Sequence, residues 1–580
     1  MADTKKSNPT PPQGASFVVG QADFTSDFAE QLTIEFSGRV PEDRIQSWPM
    51  VYILTNRDEA YVGQTTSLSR RIAQHGDNPE KRRFETVNAV YNPEFNASVA
   101  LDYEHRLIDL MQGDGRFFLT NRNAGQAPTN YYSRDAYASM FDELWNELRD
   151  LELVKNSIYE IEQTEAFKFS PFKVLNTDQE SAMQSILAAI SERLKSADAT
   201  TTTPIVVQGM PGTGKTVLAI ALLKTLKDLA ASQDEEHAEF KGINVRLLEP
   251  ITGLRMTIQK ALAKTVNLSK DDIIGPNDLA KPEFGYKPGK KGFDVVLVDE
   301  SHKLGMRKNL TPRQYGFYDD VTQALGLPQA SPQIDWVLNQ VRVPIFFYDP
   351  LQIIGPKSIG VHLIEDRLGE CVKSPIELRS QMRVKGGNDY LEYMQQLLFD
   401  QKPSPRRFED YDLVLHTDFA EFNDCFETTL EQHSLTRMVA GYAWKWKTKG
   451  SKNPDDFDIC LDGVKKRWNR TFRDWVGKGM DNADIAREVG CIHSIQGYDL
   501  SHAFVIIGND LRYSTIANKL YADKGSYFDI NGKRTASDEE LETYLRNIYY
   551  VLLTRGIEAT HVYVCDPCLR NYLSQLMRVV

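Results

Sequence analysis

Cysteine is scarce in this chain: six of its 580 residues are cysteine, too few and too scattered for the disulfide framework of a secreted protein. No apolar run is long enough to cross a bilayer, and Met1–Pro12 is polar, without the apolar core of a secretion signal. An excess of positive charge is also absent, since the formal net charge is −12. The composition therefore predicts a reduced cytoplasmic protein without a membrane partner, and it gives no global sign of a nucleic-acid ligand.

The chain is long enough for several domains, and neither an internal repeat nor a long low-complexity segment interrupts it. Roughly the first fifteen residues are predicted to be disordered. The segment 135–159 has the pattern of a charged amphipathic helix and is predicted to act as a spacer. Cys565 and Cys568, with His561 nearby, form half of a zinc-binding pattern without a second ligand pair. The predicted division is an N-terminal extension at 1–47, a small domain at 48–125, a helical linker at 126–170, and two larger lobes at 171–375 and 376–580.

A glycine-rich loop, Gly209-Met-Pro-Gly-Thr-Gly-Lys-Thr216, is the most informative segment of the sequence. An apolar run at 204–208 leads into it and a helical run at 217–224 leads out, which is the context of a P-loop. Its backbone N–H groups and the following helix N-terminus would cradle a triphosphate. Lys215 would reach the β- and γ-phosphates, and the Thr216 hydroxyl would bind Mg²⁺. The predicted nucleotide-binding residues are Gly209, Pro211, Gly212, Thr213, Gly214, Lys215 and Thr216.

A second apolar strand, predicted at 293–298, ends in two carboxylates, Asp299 and Glu300. This is the form of a Walker B strand. Asp299 is expected to hold Mg²⁺ together with Thr216, and Glu300 to polarise the attacking water. Because both acids are present, the sequence predicts hydrolysis of ATP with Mg²⁺ as cofactor, rather than nucleotide binding alone.

Further segments follow in a characteristic order. They are Leu175-Asn-Thr-Asp-Gln179, the strand ending in Asp349-Pro-Leu-Gln352, Glu377-Leu-Arg-Ser-Gln-Met-Arg383, Cys491-Ile-His-Ser-Ile-Gln-Gly-Tyr-Asp499, and Val551-Leu-Leu-Thr-Arg-Gly556. Together with the P-loop and the Walker B strand, they resemble the motifs of superfamily 1 helicases, and most closely the Schlafen-like branch. The resemblance implies two RecA-like parallel-sheet lobes. It also implies that Gln179 reads adenine and Gln352 senses the γ-phosphate, and that Arg383 and Arg555 act as arginine fingers.

The same resemblance bears on the handling of nucleic acid. Processive superfamily 1 helicases carry large insertions, whereas 303–341 and 385–487 leave room for modest additions only. Single-strand binding or translocation is therefore expected more than sustained unwinding. Tyr348, Trp444 and Trp446 are candidates for base stacking, although the sequence favours an ordinary core aromatic for each of them.

The small domain has its own set of polar side chains that could form a site. Two strands, predicted at 50–56 and 60–63, carry Tyr52 and Tyr61. A helix at 67–75 follows, and its Arg71 and His75 share one face because they are four residues apart. A second helix at 96–111 carries Glu104. These side chains are expected to converge on one polar pocket.

That arrangement resembles the GIY-YIG endonucleases. Tyr61-Val-Gly63 matches half of their signature, whereas Met50-Val-Tyr52 lacks the glycine of the other half. The resemblance implies hydrolysis of a phosphodiester with Mg²⁺ or Mn²⁺. In that chemistry Tyr52 or Tyr61 helps to deprotonate water, Arg71 stabilises phosphoryl charge and Glu104 holds the metal. The catalytic candidates of the pocket are Tyr52, Tyr61, Arg71, His75, Glu104 and Asn121, with Asn123 as the rival for the last; Lys81-Arg-Arg83 is either a phosphate clamp or a solvated charge run.

The sequence thus predicts an α/β protein with a small GIY-YIG-type nuclease domain and two P-loop lobes. The favoured function is an ATP-dependent enzyme that processes nucleic acid, DNA more than RNA, in defence against foreign DNA or in repair. An ATP-gated binding module with little cleavage or unwinding is the alternative. A P-loop ATPase of ordinary metabolism or signalling is a third hypothesis. The sequence allows both a homo-oligomer and an assembly with a partner protein, and does not choose between them.

Overall fold

The structure is a computed structural model of the chain. It describes residues 17–580 except 122–130, 132–133, 163, 196–200, 264, 400, 402, 452, 454, 472–474 and 496–497. The predicted disorder at the N-terminus, the rival Asn123, and Gln496 and Gly497 of the fifth motif lie outside this description. Among the described residues, no helix is both long enough and apolar enough to cross a membrane.

The chain divides into two compact units, each described by itself. The first contains Met1–Glu180, Val217–Leu247 and Arg255–Ile273, and the second contains Ser181–Thr216, Leu248–Leu254 and Ile274–Val580. The predicted boundary at 171 therefore falls inside the first unit.

A five-stranded sheet forms the small domain of the first unit, in the order β1-β4-β2-β3-β5. The β1/β4, β4/β2 and β2/β3 pairs are antiparallel, and β3/β5 is parallel. The elements of 17–180 are β1 (Val18–Asp23), α1 (Phe28–Phe36), α2 (Glu42–Ser47), β2 (Met50–Thr55), β3 (Glu59–Thr65), α3 (Leu68–Asp77), β4 (Thr86–Tyr91), α4 (Ala97–Asp114), β5 (Phe118–Leu119), α5 (Arg134–Asp150), α6 (Ile158–Glu162), α7 (Glu165–Lys168) and the start of α8 (Thr177–Lys195).

Strand β2 is buried on both faces because helices cover each side of this sheet. Successive side chains of a strand point to opposite faces, and the two cores divide β2 accordingly. Val51 and Ile53 join the core formed with α4 and α5, while Tyr52 and Leu54 join the core formed with α1 and α3. Tyr52 is thereby fixed on the α3 side of the sheet.

Two elements outside the predicted limits 48–125 pack with this domain. Strand β1 lies within 1–47, the predicted extension, and completes the sheet by pairing with β4. Helix α5 ends at Asp150, earlier than predicted, and does not act as a spacer. Its side chains Phe141, Leu144, Trp145 and Leu148 are buried in the α4 core. The helix joins the core because these four apolar residues recur at helical spacing.

Two parallel-sheet lobes make up most of the second unit. The elements of the first lobe, some of which cross between the units in sequence, are β6 (Ile205–Gly209), α9 (Lys215–Ala231), β7 (Val245–Leu248), α10 (Thr252–Leu262), β8 (Ile273–Ile274), β9 (Phe293–Val298), α11 (Pro312–Ala324), α12 (Gln333–Gln340), β10 (Val341–Tyr348), α13 (Val361–Leu368), α14 (Glu370–Lys373) and β11 (Ile376–Leu378). The elements of the second lobe are α15 (Gly387–Leu398), β12 (Asp412–His416), α16 (Phe419–Gln432), β13 (Arg437–Ala440), β14 (Ile459–Leu461), β15 (Val464–Lys466), α17 (Trp475–Asp481), α18 (Ala483–Ala486), β16 (Val489–Gly490), α19 (Ile492–Ile495), β17 (Leu500–Ile507), β18 (Leu511–Ser514), β19 (Lys519–Ala522), α20 (Ile530–Lys533), α21 (Asp538–Leu553), β20 (Gly556–Val564), α22 (Pro567–Ser574) and β21 (Arg578–Val579).

The first-lobe strands β11, β6, β10 and β9 are parallel neighbours in that order. Phe346 of β10 pairs with Val206 of β6 and with Val298 of β9. Because the register aligns their carboxyl ends, the residues that follow these strands emerge at one edge of the sheet, where ligands of open α/β sheets bind. The predicted phosphate and magnesium residues occupy this edge.

The second-lobe sheet is also parallel, in the order β16-β13-β17-β20-β12-β21. One hydrophobic core runs from the first lobe into the second and includes Phe346, Tyr390 and Tyr550. The predicted α/β class with two RecA-like parallel-sheet lobes is confirmed.

Candidate functional site

The P-loop begins directly after β6, and α9 begins at Lys215. Gly212 and Gly214 have φ of 81° and 73°, backbone that residues with a Cβ rarely adopt. The Thr213 hydroxyl donates to Met210 O over 2.9 Å and closes the loop. The loop therefore has the conformation that its glycines predicted, with Pro211 at its tip.

Lys215 is turned back onto its own loop. Its Nζ donates to Gly209 O over 2.7 Å and to Met210 O over 3.1 Å, and it lies 3.4 Å from Asp349 Oδ2. A triphosphate in the loop would offer the ammonium group a stronger set of charge-assisted partners than these carbonyls. The lysine is thus poised beside the place where phosphates would bind.

Asp299 and Glu300 follow β9, as predicted. Asp299 is fully buried, and its Oδ2 has no hydrogen-bond partner among the residues that the structure describes. Burial and the Glu300 charge raise the pKa of Asp299 above its usual range, while the Thr216 hydroxyl opposes that shift. An unpartnered buried carboxylate oxygen beside a threonine hydroxyl fits a hard cation such as Mg²⁺.

Glu300 has an unusual backbone, with φ of 43° and ψ of 42°. This left-handed turn directs its carboxylate to His302, whose Nε2 lies 2.8 Å from Glu300 Oε2. Burial opposes ionisation of Glu300, but the His302 ring holds the pKa of this carboxyl below its usual range. Glu300 therefore ionises more readily than Asp299 and can accept a hydrogen bond from water.

Both predicted arginines lie beside this edge. The Met382 N–H donates to Gly212 O over 2.9 Å, and a Cβ built on Gly212 would lie 2.7 Å from Arg383 Cβ. Arg383 Nε is 2.5 Å from Asp499 Oδ1. Arg555 is buried and donates from Nη1 to Tyr498 O over 3.3 Å. Burial first, and then Arg383, lowers the pKa of Arg555 to about 10, and the charge of Glu300 counters them.

The two predicted glutamines differ in placement. Gln352 is buried, and its Nε2 donates to Asp349 Oδ2 over 2.7 Å. The same carboxylate oxygen lies beside Lys215 Nζ, so Asp349 connects Gln352 to Lys215. Gln179 is also buried, but it belongs to the first compact unit, where its Oε1 accepts from Asn176 N over 3.0 Å. Its adenine-reading role stays a prediction.

The tyrosine pocket of the small domain forms around the Tyr52 hydroxyl. This oxygen is 2.7 Å from His75 Nε2 and accepts a hydrogen bond from Arg71 Nε over 3.3 Å. A neutral phenol has one proton, so Tyr52 donates to His75 while accepting from Arg71. Burial, followed by Arg71 and Lys81, lowers the pKa of His75 to about 4, which keeps this ring neutral and able to accept.

Tyr61, Glu104 and Gly63 complete the pocket. The Tyr61 ring lies 5.2 Å from the His75 ring, edge to face. Glu104 accepts a hydrogen bond from the Gln64 backbone, and burial raises its pKa to about 7. Gly63 leaves the space that Tyr52 fills, because a Cβ there would lie 2.3 Å from the Tyr52 hydroxyl. Four predicted side chains, Tyr61, Arg71, His75 and Glu104, are thus brought together around Tyr52.

Two other candidates of this domain have different local partners. Both polar ends of the Asn121 amide bond to Val62, with Oδ1 accepting from its N–H and Nδ2 donating to its carbonyl. Asn121 therefore positions β3 in this structure, and a direct catalytic role stays a prediction. In the Lys81–Arg83 run, the Lys81 ammonium lies 3.1 Å from the Tyr61 ring centroid, and Arg83 pairs with Glu59 over 2.7 Å.

Several contacts of the sites were not assigned from sequence. His302 and Asp349, which follow β9 and β10 at this edge, and Asp499, which precedes β17, lie in predicted motifs but had no predicted roles. Lys303 was not predicted: it is half-buried and donates to Gln352 O over 2.8 Å, and its pKa is lowered to about 8 by desolvation. Tyr348 is 2% exposed, so it is a core aromatic and not a base-stacking platform.

The fold and this edge define a P-loop α/β protein with two parallel-sheet lobes. Residues 202–566 match the family described as Schlafen group 3, DNA/RNA helicase domain. The chain belongs to this family, because the match covers more than half of its 580 residues. The predicted Schlafen-like, helicase-type ATPase is confirmed at this level.

Individual relatives are more distant. An uncharacterised protein of Saccharomyces cerevisiae is 25% identical over 434 residues, which are 69% of this chain and 90% of the relative. The Pif1 helicase from Candida albicans covers 70% of this chain and 97% of its own, at 12% identity and a TM-score of 0.27. The Pif1 helicase from Bacteroides in complex with ADP-AlF3 and ssDNA covers 67% and 92%, at 12% identity and a TM-score of 0.22. Such TM-scores do not establish a shared activity.

Proposed function

We propose that this protein is an ATP-driven, nucleic-acid-directed enzyme of the superfamily 1 translocase kind, joined to a GIY-YIG-type endonuclease domain. The proposal of an ATP-driven motor rests on one observation: Lys215, Asp299 and Glu300 lie close to two second-lobe arginines at one sheet edge. DNA is the favoured substrate over RNA, and defence against foreign DNA or repair is the favoured setting. The two lobes are proposed to be 171–375 and 376–580.

The P-loop residues would bind the nucleotide, and each has a distinct task. Lys215 would leave its loop carbonyls and pair with the β- and γ-phosphates. Asp299 and Thr216 would hold Mg²⁺, which neutralises phosphate charge when bound. Glu300, ionised and oriented by His302, would take the hydrogen bond of the attacking water and align it with the phosphorus.

The second lobe would control hydrolysis. Arg383 and Arg555 would stabilise the charge that develops on the γ-phosphate, and Gln352 would report its presence through Asp349. The Met382 N–H bond to Gly212 O must open for a triphosphate to enter, since a phosphate needs the loop that this segment covers. Nucleotide binding would therefore move the second lobe, which is the step that a translocase requires.

The nuclease domain, proposed at 48–125 with β1 as its edge strand, would cleave a phosphodiester. Water would pass a proton to the Tyr52 oxygen as the Tyr52 proton moves to neutral His75, so neither group becomes an anion. Arg71 would stabilise phosphoryl charge, and Glu104 would hold Mg²⁺ or Mn²⁺, which polarises the phosphate when bound. Tyr61 and Lys81 would line the approach of the backbone.

An ATP-gated binding module is the second candidate. It is favoured by the closed P-loop, in which Lys215 bonds to its own carbonyls, and by the net charge of −12. In such a module, nucleotide exchange would open and close a nucleic-acid surface with little cleavage.

The motor is tested by ATP turnover of the full chain with and without single-stranded DNA or RNA. Lys215→Ala should abolish turnover, and Glu300→Gln should leave ATP bound but unhydrolysed. Lys241→Ala, at an exposed position outside the P-loop, is the matched control. Normal turnover in Lys215→Ala would reject the site, and turnover that no nucleic acid stimulates would favour the binding module.

The nuclease is tested separately, by incubating labelled linear, circular and single-stranded substrates with Mg²⁺ or Mn²⁺. Arg71→Ala and Glu104→Ala should each abolish cleavage and leave ATP turnover near normal. Arg70→Ala, next to Arg71 on α3 and exposed, is the control. Cleavage that persists in both pocket variants would reject the assignment, and a wild-type chain that never cuts would favour the binding module.

A further inference from the structure

Three side chains of metal-ligand type meet in the second lobe, on separate elements. His416 ends β12, Cys425 lies on α16 and His561 lies in β20. His416 Nε2 is 3.0 Å from His561 Nδ1, and Cys425 Sγ is 4.0 Å from the same nitrogen. All three ligand atoms lie within 4.8 Å of one another. The ATPase and nuclease chemistry above uses none of them.

The separations suit a tetrahedral ion. Zinc bonds of about 2.0–2.1 Å to nitrogen and about 2.3 Å to sulfur place two nitrogens about 3.3 Å apart, and nitrogen and sulfur about 3.6 Å apart. The observed 3.0 Å and 4.0 Å each differ from these values by less than about 0.5 Å. The third separation, from His416 Nε2 to Cys425 Sγ, is at most 4.8 Å, so all three atoms would move slightly closer to reach one ion.

The surroundings hold these ligands in place. The His561 ring stacks on Phe504, with centroids 4.3 Å apart and planes at 3°, and the His416 ring packs edge to face against Phe422 at 5.3 Å. These aromatic contacts therefore fix the orientation of both imidazole rings.

The donor set selects the kind of ion. A thiolate with two imidazoles is a soft to borderline set, which favours zinc over the hard cations Mg²⁺ and Ca²⁺. Metal binding would displace the proton of the Cys425 thiol. In the described part of the chain, neither Cys565 nor Cys568 belongs to a group of three such ligand atoms.

We propose that His416, Cys425 and His561 form a zinc site that ties α16 to the sheet of the second lobe. Three protein ligands leave the fourth position to water, so the site is accessible to exchange. Because α16 packs on β12 and β20, bound zinc would stabilise the lobe that carries both arginines. The competing account is an imidazole–imidazole hydrogen bond in an apolar core, with no metal.

The zinc content of the full chain tests the proposed zinc site. The protein is stripped with a chelator, dialysed against zinc without nucleotide, and measured by elemental mass spectrometry. Wild type should retain one zinc per chain that Cys425→Ser loses. Cys460→Ser, which changes an exposed free cysteine on β14, should retain it. If Cys425→Ser fails to fold, His416→Gln takes its place.

Cobalt separates this site from a second group, His433, His502 and Glu558, whose ligand atoms also cluster but include no sulfur. Cobalt at the proposed site should give thiolate-to-metal charge-transfer absorption and tetrahedral visible bands that vanish in Cys425→Ser. ATP turnover of this variant should persist, which shows that it is folded. A wild-type chain that retains no zinc, or a Cys425→Ser chain with unchanged zinc and cobalt spectra, would overturn the proposal.

Discussion

Replacing Gly63 with alanine tests how closely the nuclease pocket is built around Tyr52. A Cβ at position 63 would lie 2.3 Å from the Tyr52 hydroxyl and 2.4 Å from its Cζ, whereas ordinary contact begins at 3.4 Å. The tyrosine must therefore retreat by about 1 Å. Its bonds to His75, at 2.7 Å, and to Arg71, at 3.3 Å, cannot both survive that movement.

The size of the effect follows from two terms. Overpacking a buried site costs about 1–3 kcal/mol, and losing a buried hydrogen bond costs about 1 kcal/mol more. Local opening of β2 and β3 should become easier by about 2–4 kcal/mol, which is a factor of roughly 30 to 1,000 in amide exchange. A 1 Å displacement of a catalytic oxygen should lower cleavage by about 100-fold.

Hydrogen–deuterium exchange of the full chain, read on peptides covering β2 and β3, measures the first effect, and cleavage assays measure the second. Gly76→Ala is the control, because a Cβ there meets nothing within 4 Å in the same domain. In a Tyr52→Phe background, Gly63→Ala should add little further loss of cleavage. Exchange and cleavage like those of wild type in Gly63→Ala would refute this account of the pocket.

Four further predictions concern both sites. Arg555→Ala should lower the kcat of ATP hydrolysis by about 1,000-fold or more, with a small change in nucleotide affinity. The control Arg578→Ala, on the exposed β21, should leave kcat unchanged. A loss of kcat below tenfold in Arg555→Ala would exclude a finger role. Gly212→Ala should abolish ATP turnover, because position 212 has φ of 81° and its Cβ would meet Arg383. The control Gly242→Ala should not, because position 242 has a similar φ of 68° but nothing lies within 4 Å of its Cβ. Equal turnover in the two variants would show that the loop tolerates a side chain. Because burial raises the pKa of Glu104 to about 7, cleavage at limiting Mg²⁺ should rise with pH through about 7, and more Mg²⁺ should move this midpoint lower. By the same shift, the metal-free small domain should be most stable below the ordinary glutamate pKa of 4.5 and lose stability as pH rises towards about 7; a flat profile would contradict the burial of this carboxyl.

The sequence predicted the features that are local in the chain. The P-loop, the acidic pair and the strands before them are contiguous runs, and their alignment follows from parallel pairing. The Tyr52 pocket could also be predicted from the sequence, because Arg71 and His75 are one helical turn apart. The stripe Phe141, Leu144, Trp145 and Leu148 had the spacing of a packed helix, but the charges around it favoured the wrong prediction of a spacer.

Other features arise from residues far apart in sequence. The pairing of β1 with β4 joins Val18 to Tyr91 and has no local signal. The meeting of His416, Cys425 and His561 likewise depends on how β12, α16 and β20 pack. The left-handed backbone of Glu300 could not be predicted, because glutamate has no preference for that region and the tertiary structure imposes it.

That backbone at Glu300 has an evolutionary consequence. A left-handed residue with a side chain costs about 1–2 kcal/mol relative to one in the right-handed region, and glycine would remove this cost. Selection for stability alone therefore favours glycine at position 300, while selection for ATP hydrolysis retains the carboxylate. We expect Glu300→Gly to produce a more stable chain that holds ATP and does not turn it over. Among relatives, the residue at this position should separate working motors from lineages that have kept the fold as a nucleotide-binding scaffold.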